Sequence, residues 1–586
     1  MMFPEWKRGS TVGFGMLWGL AWGLVFLAPA IVRTHNMAGT HVQAMAFIAL
    51  MAAVFALLGA GISIGLFAIQ WVARRILPAK YASRIPAASI AAGVLVPAVY
   101  LAVGSAIYFL KFRTIGGAGW YQRAALNAVI ATVAAALIAV IYVRFTSRMS
   151  VRKSNAVLAV AGAAIVVVAA ATLVFRFPPL DRRVTNAYAL ERSAEGSREK
   201  RKLLVIGIDG GTWHVISPLL EKRQLPTFDA LMRSGVHGNV AALWPPYWSV
   251  AAWAAIITGH RRRDIGVFGD LQVTVAGLPP FQSPMDLEPQ QLPLTALEYV
   301  LASRRMIRVE VPGRKSLRLP PVWELLDRSG IETAVIRFNF THPATGQAAF
   351  VVSNRAMSDI WRQVGVHEAD RRELAEPASR ADELLAPFSR EWAWDSSVLD
   401  RVLRDRSWPK PADATVDPVR TLRGALRFDD ATAIAASRLM QSDPSIEVMF
   451  VHFGGVDTIE HTFWQYRFPN EFKNKPAQAD VVALGSVIDR YMEFVDSGIA
   501  KIIASFPEAP NVLIVSDHGQ AAREDGVPFK GWHASPGIFL AAGPDIAHRA
   551  EQLDVSYFDI VPTILELKGF TRPRDLRGRP LLEKVN

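Results

Sequence analysis

The chain contains no cysteine among its 586 residues. Disulfides, thiolate metal ligands and a cysteine nucleophile are therefore excluded. Any catalytic site must be assembled from oxygen and nitrogen groups, which narrows a bound metal to those content with carboxylate and imidazole. A second lack is positional. Long apolar runs fill the chain before Arg176, and none holds an Asp, Glu or Lys near its centre. Pumps and ion transporters usually place such groups inside the bilayer, so this part reads as an anchor or lipid-facing platform, with transport the lesser role.

At this length a single hydrophobic core is not expected, and the 51% hydrophobic content is concentrated in the first third. The net charge of +12 invites a nucleic-acid reading, but the basic residues cluster between apolar runs. Arg74, Arg75, Lys80 and Arg84 form one cluster, and Arg144, Arg148, Arg152 and Lys153 another. Such clusters suit loops facing anionic lipid. The expected partner is the membrane, not nucleic acid.

Five apolar stretches, Thr11–Val32, Val42–Val72, Ala87–Leu110, Ala124–Val143 and Ala156–Phe175, are long enough to cross a bilayer. The first resembles a signal peptide, with Lys7 and Arg8 at its start and Ala28-Pro29-Ala30 near its end. Four further spans favour its retention as a helix. Placing the N-terminus inside puts ten basic residues on the cytoplasmic face against four (Arg33, Lys111, Arg113, Arg123) on the other. An odd number of spans then sends the C-terminal half outside the cytoplasmic membrane, into the periplasm. Residues 1–176 are thus expected as a transmembrane helical domain and 177–201 as a linker, opened by Pro178-Pro179.

From 202 to 586 the pattern changes to that of a globular domain. Lys202–Ile208, Val448–Phe453 and Val512–Val515 are short continuous apolar runs, as in strands buried on both faces of a parallel sheet. Thr333–Arg337 and Gly537–Ala541 are further strand candidates, while Ala431–Gln441 and Asp480–Ser497 carry helical patterns. The alternation predicts an α/β fold with a mainly parallel central sheet.

Open parallel sheets bind ligands beyond the carboxyl ends of their strands. Three of these strands deliver an acid there: Asp209, Asp457 and Asp517. Gathered in one crevice, three carboxylates repel strongly unless cations lie among them. Each could instead cap the helix that follows. Histidines tip the balance: His518 follows Asp517, His461 lies one helical turn after Asp457, and His533 sits in a Lys530-Gly531-Trp532-His533 segment. Mixed oxygen and nitrogen ligands suit two divalent ions, zinc foremost and manganese next. His452, within an apolar strand, and His214 read as structural. A nucleophile candidate is Ser249, placed to enter a helix N-terminus, where free N–H groups favour phosphate; a plain helix cap is the competing reading.

The soluble half resembles the alkaline phosphatase superfamily, and within it the bacterial type I phosphodiesterase/nucleotide pyrophosphatase family. The resemblance is carried by Ile208–Trp213, Ser249–Gly259, Val456–Trp464, Val515–Gly519, Gly531–His533 and Asp559–Leu567, in that order and spacing. It implies Asp457, His461 and His533 as ligands of one metal and Asp209, Asp517 and His518 as ligands of the other. It further implies Ser249 as a nucleophile bridging both, attacked phosphorus passing through a phosphoserine that water or an alcohol resolves. Three carboxylates and a serine alkoxide carry four negative charges, which two divalent ions balance.

The family pattern is not fully kept. Nucleotide pyrophosphatases have Asn where this chain has Ala252 and Asp270, and usually His where it has Ile265; many relatives have Thr in place of Ser249. Nucleotide substrates are therefore not expected, and Thr212 or Lys530 would have to supply a missing donor. Ser249 lacks the Ser-x-Pro-x-Arg context of sulfatases, which argues against sulfuryl transfer. The combination of about five spans with such a domain is similar in layout to phosphoethanolamine and phosphoglycerol transferases, implying a lipid-linked or envelope substrate. A Trp-rich insert at about 355–427 (Trp361, Trp392, Trp394, Trp408) is placed to cap the site or to decorate the edge. Arg261-Arg262-Arg263 reads as solvated. The expected function is a membrane-anchored two-metal phosphodiesterase, phosphatase or phosphotransferase. The alternative is a receptor or scaffold that binds metal without catalysis.

Overall fold

The computed structural model describes residues 201–582 apart from 244–246, 268, 275–280, 283–301, 303–306, 357–370, 390–396, 404–416 and 525–529, together with 190–193 and scattered positions between 56 and 76. The five apolar stretches lie outside these residues, save for scattered helical positions in the second, and so do the four tryptophans of the insert. Among the described residues no helix is long and apolar enough to cross a membrane. The chain divides into two compact units, 181–270 with 311–586 and 1–180 with 271–310.

The first of these units is built on a nine-stranded sheet. Its strands, numbered along the whole chain, are β1 (Leu203–Ile208), β2 (Val236–Ala241), β6 (Thr333–Ile336), β7 (Phe350–Val352), β8 (Ala375–Glu376), β9 (Val448–Phe453), β10 (Asn511–Val515), β13 (Gly537–Ala542) and β14 (Leu553–Ser556). β11 (Gly519–Ala522) and β12 (Gly531–Ala534) form a separate hairpin; β3 (Gln272–Thr274), β4 (Phe281–Gln282) and β5 (Arg308–Glu310) form a small antiparallel sheet in the other unit. The large sheet runs β14-β2-β13-β10-β1-β9-β6-β7-β8, and its centre, β10-β1-β9-β6-β7, is wholly parallel. β13 and β8 run antiparallel to their neighbours β10 and β7. The mainly parallel sheet read from the apolar runs is therefore present.

Every residue of β1, β9 and β10 is buried, because helices cover both faces. On one face Leu204, Ile206 and Ile208 pack with Leu426, Phe463 and Ile499. These come from the helices α3 (Pro418–Ser442), α4 (Gly455–Arg467) and α6 (Val487–Ala504), which follow α1 (Trp213–Glu221) and α2 (Ser249–Thr258) in the chain. On the other face Gly207 leaves room for three rings. A Cβ there would come within 2.8 Å of Trp253, 2.9 Å of Phe338 and 3.0 Å of His452. The helix expected over Asp480–Ser497 is instead two, α5 (Gln478–Leu484) and α6, broken at Gly485-Ser486. Glycine is a poor helix former, and here its N–H closes α5 onto Val481 O.

Register brings the strand ends level. Gly207 pairs with both Val515 and His452, and Ile208 with Phe453, so the residues after β1, β9 and β10 leave the sheet at one edge. The start of α4 is fixed there by Asp429 of α3, whose Oδ2 accepts from Gly455 N at 3.1 Å and from the Tyr491 hydroxyl at 2.8 Å. Burial pushes the Asp429 carboxyl up to about 6, against the pull of Arg337 and these donors.

Candidate active site

Each of the three strand-end acids arrives by a short path. Asp209 directly follows β1 and donates its N–H to Phe453 O at 3.0 Å. Asp517 lies two residues past β10. Asp457 stands in the first turn of α4, with His461 one turn on. None caps a helix: α1 is capped by Thr212, which accepts from His214 N, and Asp517 is followed by β11. His533 comes from β12, opposite Gln520 of β11.

The six side chains form two groups. In one, His461 Nε2 is 3.2 Å from Asp457 Oδ1, His533 Nε2 is 3.4 Å from the same oxygen, and the two nitrogens are 3.0 Å apart. In the other, His518 Nε2 is 3.5 Å from Asp209 Oδ1 and 3.3 Å from Asp517 Oδ2. The groups adjoin, since the His518 and His533 rings stack with centroids 3.9 Å apart. Ser249, first residue of α2, places its Oγ 3.0 Å from His518 Nε2 and also interacts with Asp209. All seven sequence candidates are thus brought together.

Electrostatics sharpen the picture. Burial, and then Asp457, push the Asp209 carboxyl well above the usual carboxylate range; burial, then Asp209 and Asp457, do the same to Asp517. Burial also opposes charge on Asp457, but His461 and His533 overcome it and hold that carboxyl well below the usual range. Buried imidazole His518 is pushed well down by its burial and by His533.

Residues 203–561 match the type I phosphodiesterase / nucleotide pyrophosphatase family. The chain belongs to this family. Among curated proteins it is similar to a 2,3-bisphosphoglycerate-independent phosphoglycerate mutase of Chloroflexus aggregans, 33% identical over 98 residues, which is 15% of this chain and 18% of that protein. The chain thus spans under a fifth of that relative's length. Among solved structures it is similar to a 2-O GAG sulfatase, at 14% identity and TM-score 0.37, covering 65% of this chain and 73% of the other. It is also similar to the phosphonoacetate hydrolase of Sinorhizobium meliloti 1021, at 12% identity and TM-score 0.31, covering 57% and 61%.

In this phosphodiesterase family member the donor set fits divalent metal. His461 and His518 place Nδ1 at 2.6 Å from Gly531 O and 3.0 Å from Gly519 O. A carbonyl can only accept, so Nδ1 carries a proton in both rings, and Nε2 is the atom turned toward the carboxylates that would face a metal. Asp517 Oδ2 is buried and accepts no hydrogen bond. Three carboxylates converging with imidazole Nε2 atoms, one carboxylate oxygen buried without a donor, are a set that a cation would balance. Each trio of Asp457, His461, His533 and of Asp209, Asp517, His518 keeps its ligand atoms within 4.8 Å of one another.

The supporting residues were harder to foresee. Trp253 donates its indole N–H to Asp209 Oδ2 at 3.1 Å, and Gln520 donates to Asp457 Oδ1 at 2.7 Å. The Tyr557 hydroxyl donates to Asp517 O. The signals were spacing: Trp253 is one turn from Ser249, and Gln520 is two residues from His518 on a strand. Asp270, marked in the sequence only as a departure, accepts from Val250 N at 2.9 Å. His452 is buried against Trp253 and Phe338 with Nε2 3.7 Å from Asp209 Oδ2, and His214 pairs with Glu471 at the surface. The Arg261–Arg263 run is not uniformly solvated. Arg262 is buried, in reach of Asp270 and Tyr557, because the four-residue helix Arg262–Ile265 turns it inward. Of the proposed substitute donors, Thr212 accepts from His214 N through Oγ, which leaves its O–H able to donate, and the Lys530 backbone N–H donates to His461 O.

Proposed function

We propose that the chain is a two-metal phosphoryl-transfer enzyme in which Ser249 is the nucleophile. The observation that carries this is the placement of the Ser249 hydroxyl against the Asp209–Asp517–His518 group, with the Asp457–His461–His533 group stacked beside it. Asp209, Asp517 and His518 would hold one divalent ion and Asp457, His461 and His533 the other, zinc or manganese by donor type. Bound ions of this kind acidify a hydroxyl and offset charge on phosphoryl oxygens. The chain's own residues do the rest. Helix α2 presents Ser249 at its N-terminus, so backbone N–H dipoles favour the anionic form of the hydroxyl oxygen. Trp253 and Gln520 lock the carboxylates in rotamer, and the two backbone carbonyls fix the imidazole tautomers. Ser249 Oγ forms the bond to phosphorus as the ester oxygen departs, and water or an acceptor alcohol then releases the phosphoryl group.

The test is turnover of bis(para-nitrophenyl) phosphate and of an aryl sulfate by protein whose metal content is measured. Phosphodiester turnover with about two metal ions per chain is expected from the two-ion template. Sulfate ester turnover alone, or full activity in metal-free protein, overturns the reading.

We further propose that residues 1–176 span the cytoplasmic membrane five times, N-terminus inside, with the catalytic domain outside acting on a lipid-linked or envelope phosphate ester. The support is the length of the five apolar runs and the ten-to-four bias of basic residues. The absence of cysteine makes this directly testable, since a single introduced thiol is the sole label site. In intact cells an impermeant maleimide should label Ser197→Cys in the linker and leave Ser83→Cys unlabelled until the membrane is opened. The reverse pattern would invert the topology.

A further inference from the structure

The acid at position 270 stands where a substrate anion would be received. Helix α2 starts at Ser249, and its N-cap position is Trp248, which offers no side-chain acceptor. The free N–H of Val250, next to the nucleophile, would ordinarily point at a phosphoryl oxygen. Here it donates to Asp270 Oδ1 at 2.9 Å. The chain is brought back to this point by Gly266, whose left-handed φ of 88° ends the Arg262–Ile265 helix and closes it onto Arg262 O. Asp270 is in electrostatic reach of Asp209, Asp457 and His533, so its charge acts inside the site.

We infer that Asp270 sets substrate class, by occupying the anion-receiving N–H beside Ser249 with a carboxylate and so disfavouring dianionic phosphate monoesters relative to monoanionic diesters. This rests on the phosphoryl-transfer reading above. Charge supports it: Asp209, Asp457, Asp517 and the Ser249 alkoxide already balance a pair of divalent ions, so the Asp270 carboxylate adds negative charge beyond that balance, within electrostatic reach of Asp209 and Asp457. A dianionic ester is repelled by that extra carboxylate more strongly than a monoanionic one. Burial, with Asp457 adding to it, pushes the Asp270 carboxyl up from the usual carboxylate range, against the pull of the Val250 N–H, His533 and the buried Arg262. Removing the carboxylate would lift that repulsion and admit the more highly charged ester.

The experiment compares wild type with Asp270→Asn and Asp270→Ala. Asn keeps an acceptor for Val250 N–H while losing the charge; Ala loses both. The ratio of kcat/KM on para-nitrophenyl phosphate to that on bis(para-nitrophenyl) phosphate should rise at least about tenfold in both variants, the scale of one charge-assisted hydrogen bond. Inorganic phosphate should bind the zinc-loaded variants tighter by a similar factor in calorimetry. An unchanged ratio and unchanged phosphate affinity, with only a lower Tm in Asp270→Ala, would make Asp270 a helix cap and overturn the inference. If wild type turns over neither ester, the functional reading falls, and the phosphate affinities still decide the role of Asp270.

Discussion

Ser249→Ala should lower phosphodiester turnover by about a thousandfold or more, the usual scale for deleting a nucleophile, while metal content and fold are kept. The separation of effects follows from where Ser249 sits. It opens α2, a helix whose remaining residues, Val250 to Thr258, are all buried, so its anchoring is supplied by Trp253, Ile256 and their neighbours and not by the serine. Its hydroxyl faces His518 and Asp209, and both keep their other partners: Gly519 O for His518 and the Trp253 indole for Asp209. Alanine is a good helix former and introduces no volume. The loss is therefore confined to the oxygen that bonds phosphorus. Mass spectrometry of acid-quenched enzyme gives an independent readout, with phosphate on the Ser249 peptide of wild type. Turnover in Ser249→Ala within a few-fold of wild type, or phosphate trapped on another residue, would remove the serine from the chemistry.

What the sequence disclosed and what it hid divide along a physical line. β1, β9 and β10 were legible because strands buried on both faces are apolar throughout, and that same burial makes an acid at their ends conspicuous. The level ends of these strands then bring Asp209, Asp457 and Asp517 together, since a parallel sheet points all its carboxyl ends one way. β2 was not legible. Its Val-His-Gly-Asn-Val-Ala alternates buried with partly exposed positions and carries three residues with no strand preference. Nor does any residue of β13 report that it runs antiparallel to β10, because direction is set by the connection and not by side chains. Within the site, ligands were readable from short spacings such as Asp457 to His461. The contacts that orient them join residues far apart in the chain: Trp253 with Asp209, Gln520 with Asp457, Tyr557 with Asp517. A partner chosen by folding leaves no periodic trace.

Asp517→Asn should have opposite effects on the metal-free and metal-loaded protein. Asp517 is fully buried; its Oδ1 accepts from Gly210 N at 3.3 Å, while Oδ2 accepts nothing. Without metal, burial and the charges of Asp209 and Asp457 oppose ionisation there, so the native state bears the cost of either a confined charge or an added proton. Asparagine removes the charge, keeps an acceptor for Gly210 N–H, and offers a donor toward the His518 nitrogen 3.3 Å away or the Asp209 carboxylate. Chelated Asp517→Asn should therefore melt above chelated wild type. With zinc or manganese in excess the order should invert, because ligand binding adds stability only in proportion to affinity for the native state. Losing a charged ligand should weaken that affinity by at least about a hundredfold, more than the loss of an outer-sphere partner. Activity should fall with it. Scanning calorimetry in chelator and in metal reads both signs on the same preparations. A lower Tm in both conditions would mean that Asp517 is held by protein contacts alone, and the cluster around it would then be a structural network with no vacancy of charge for a cation to fill.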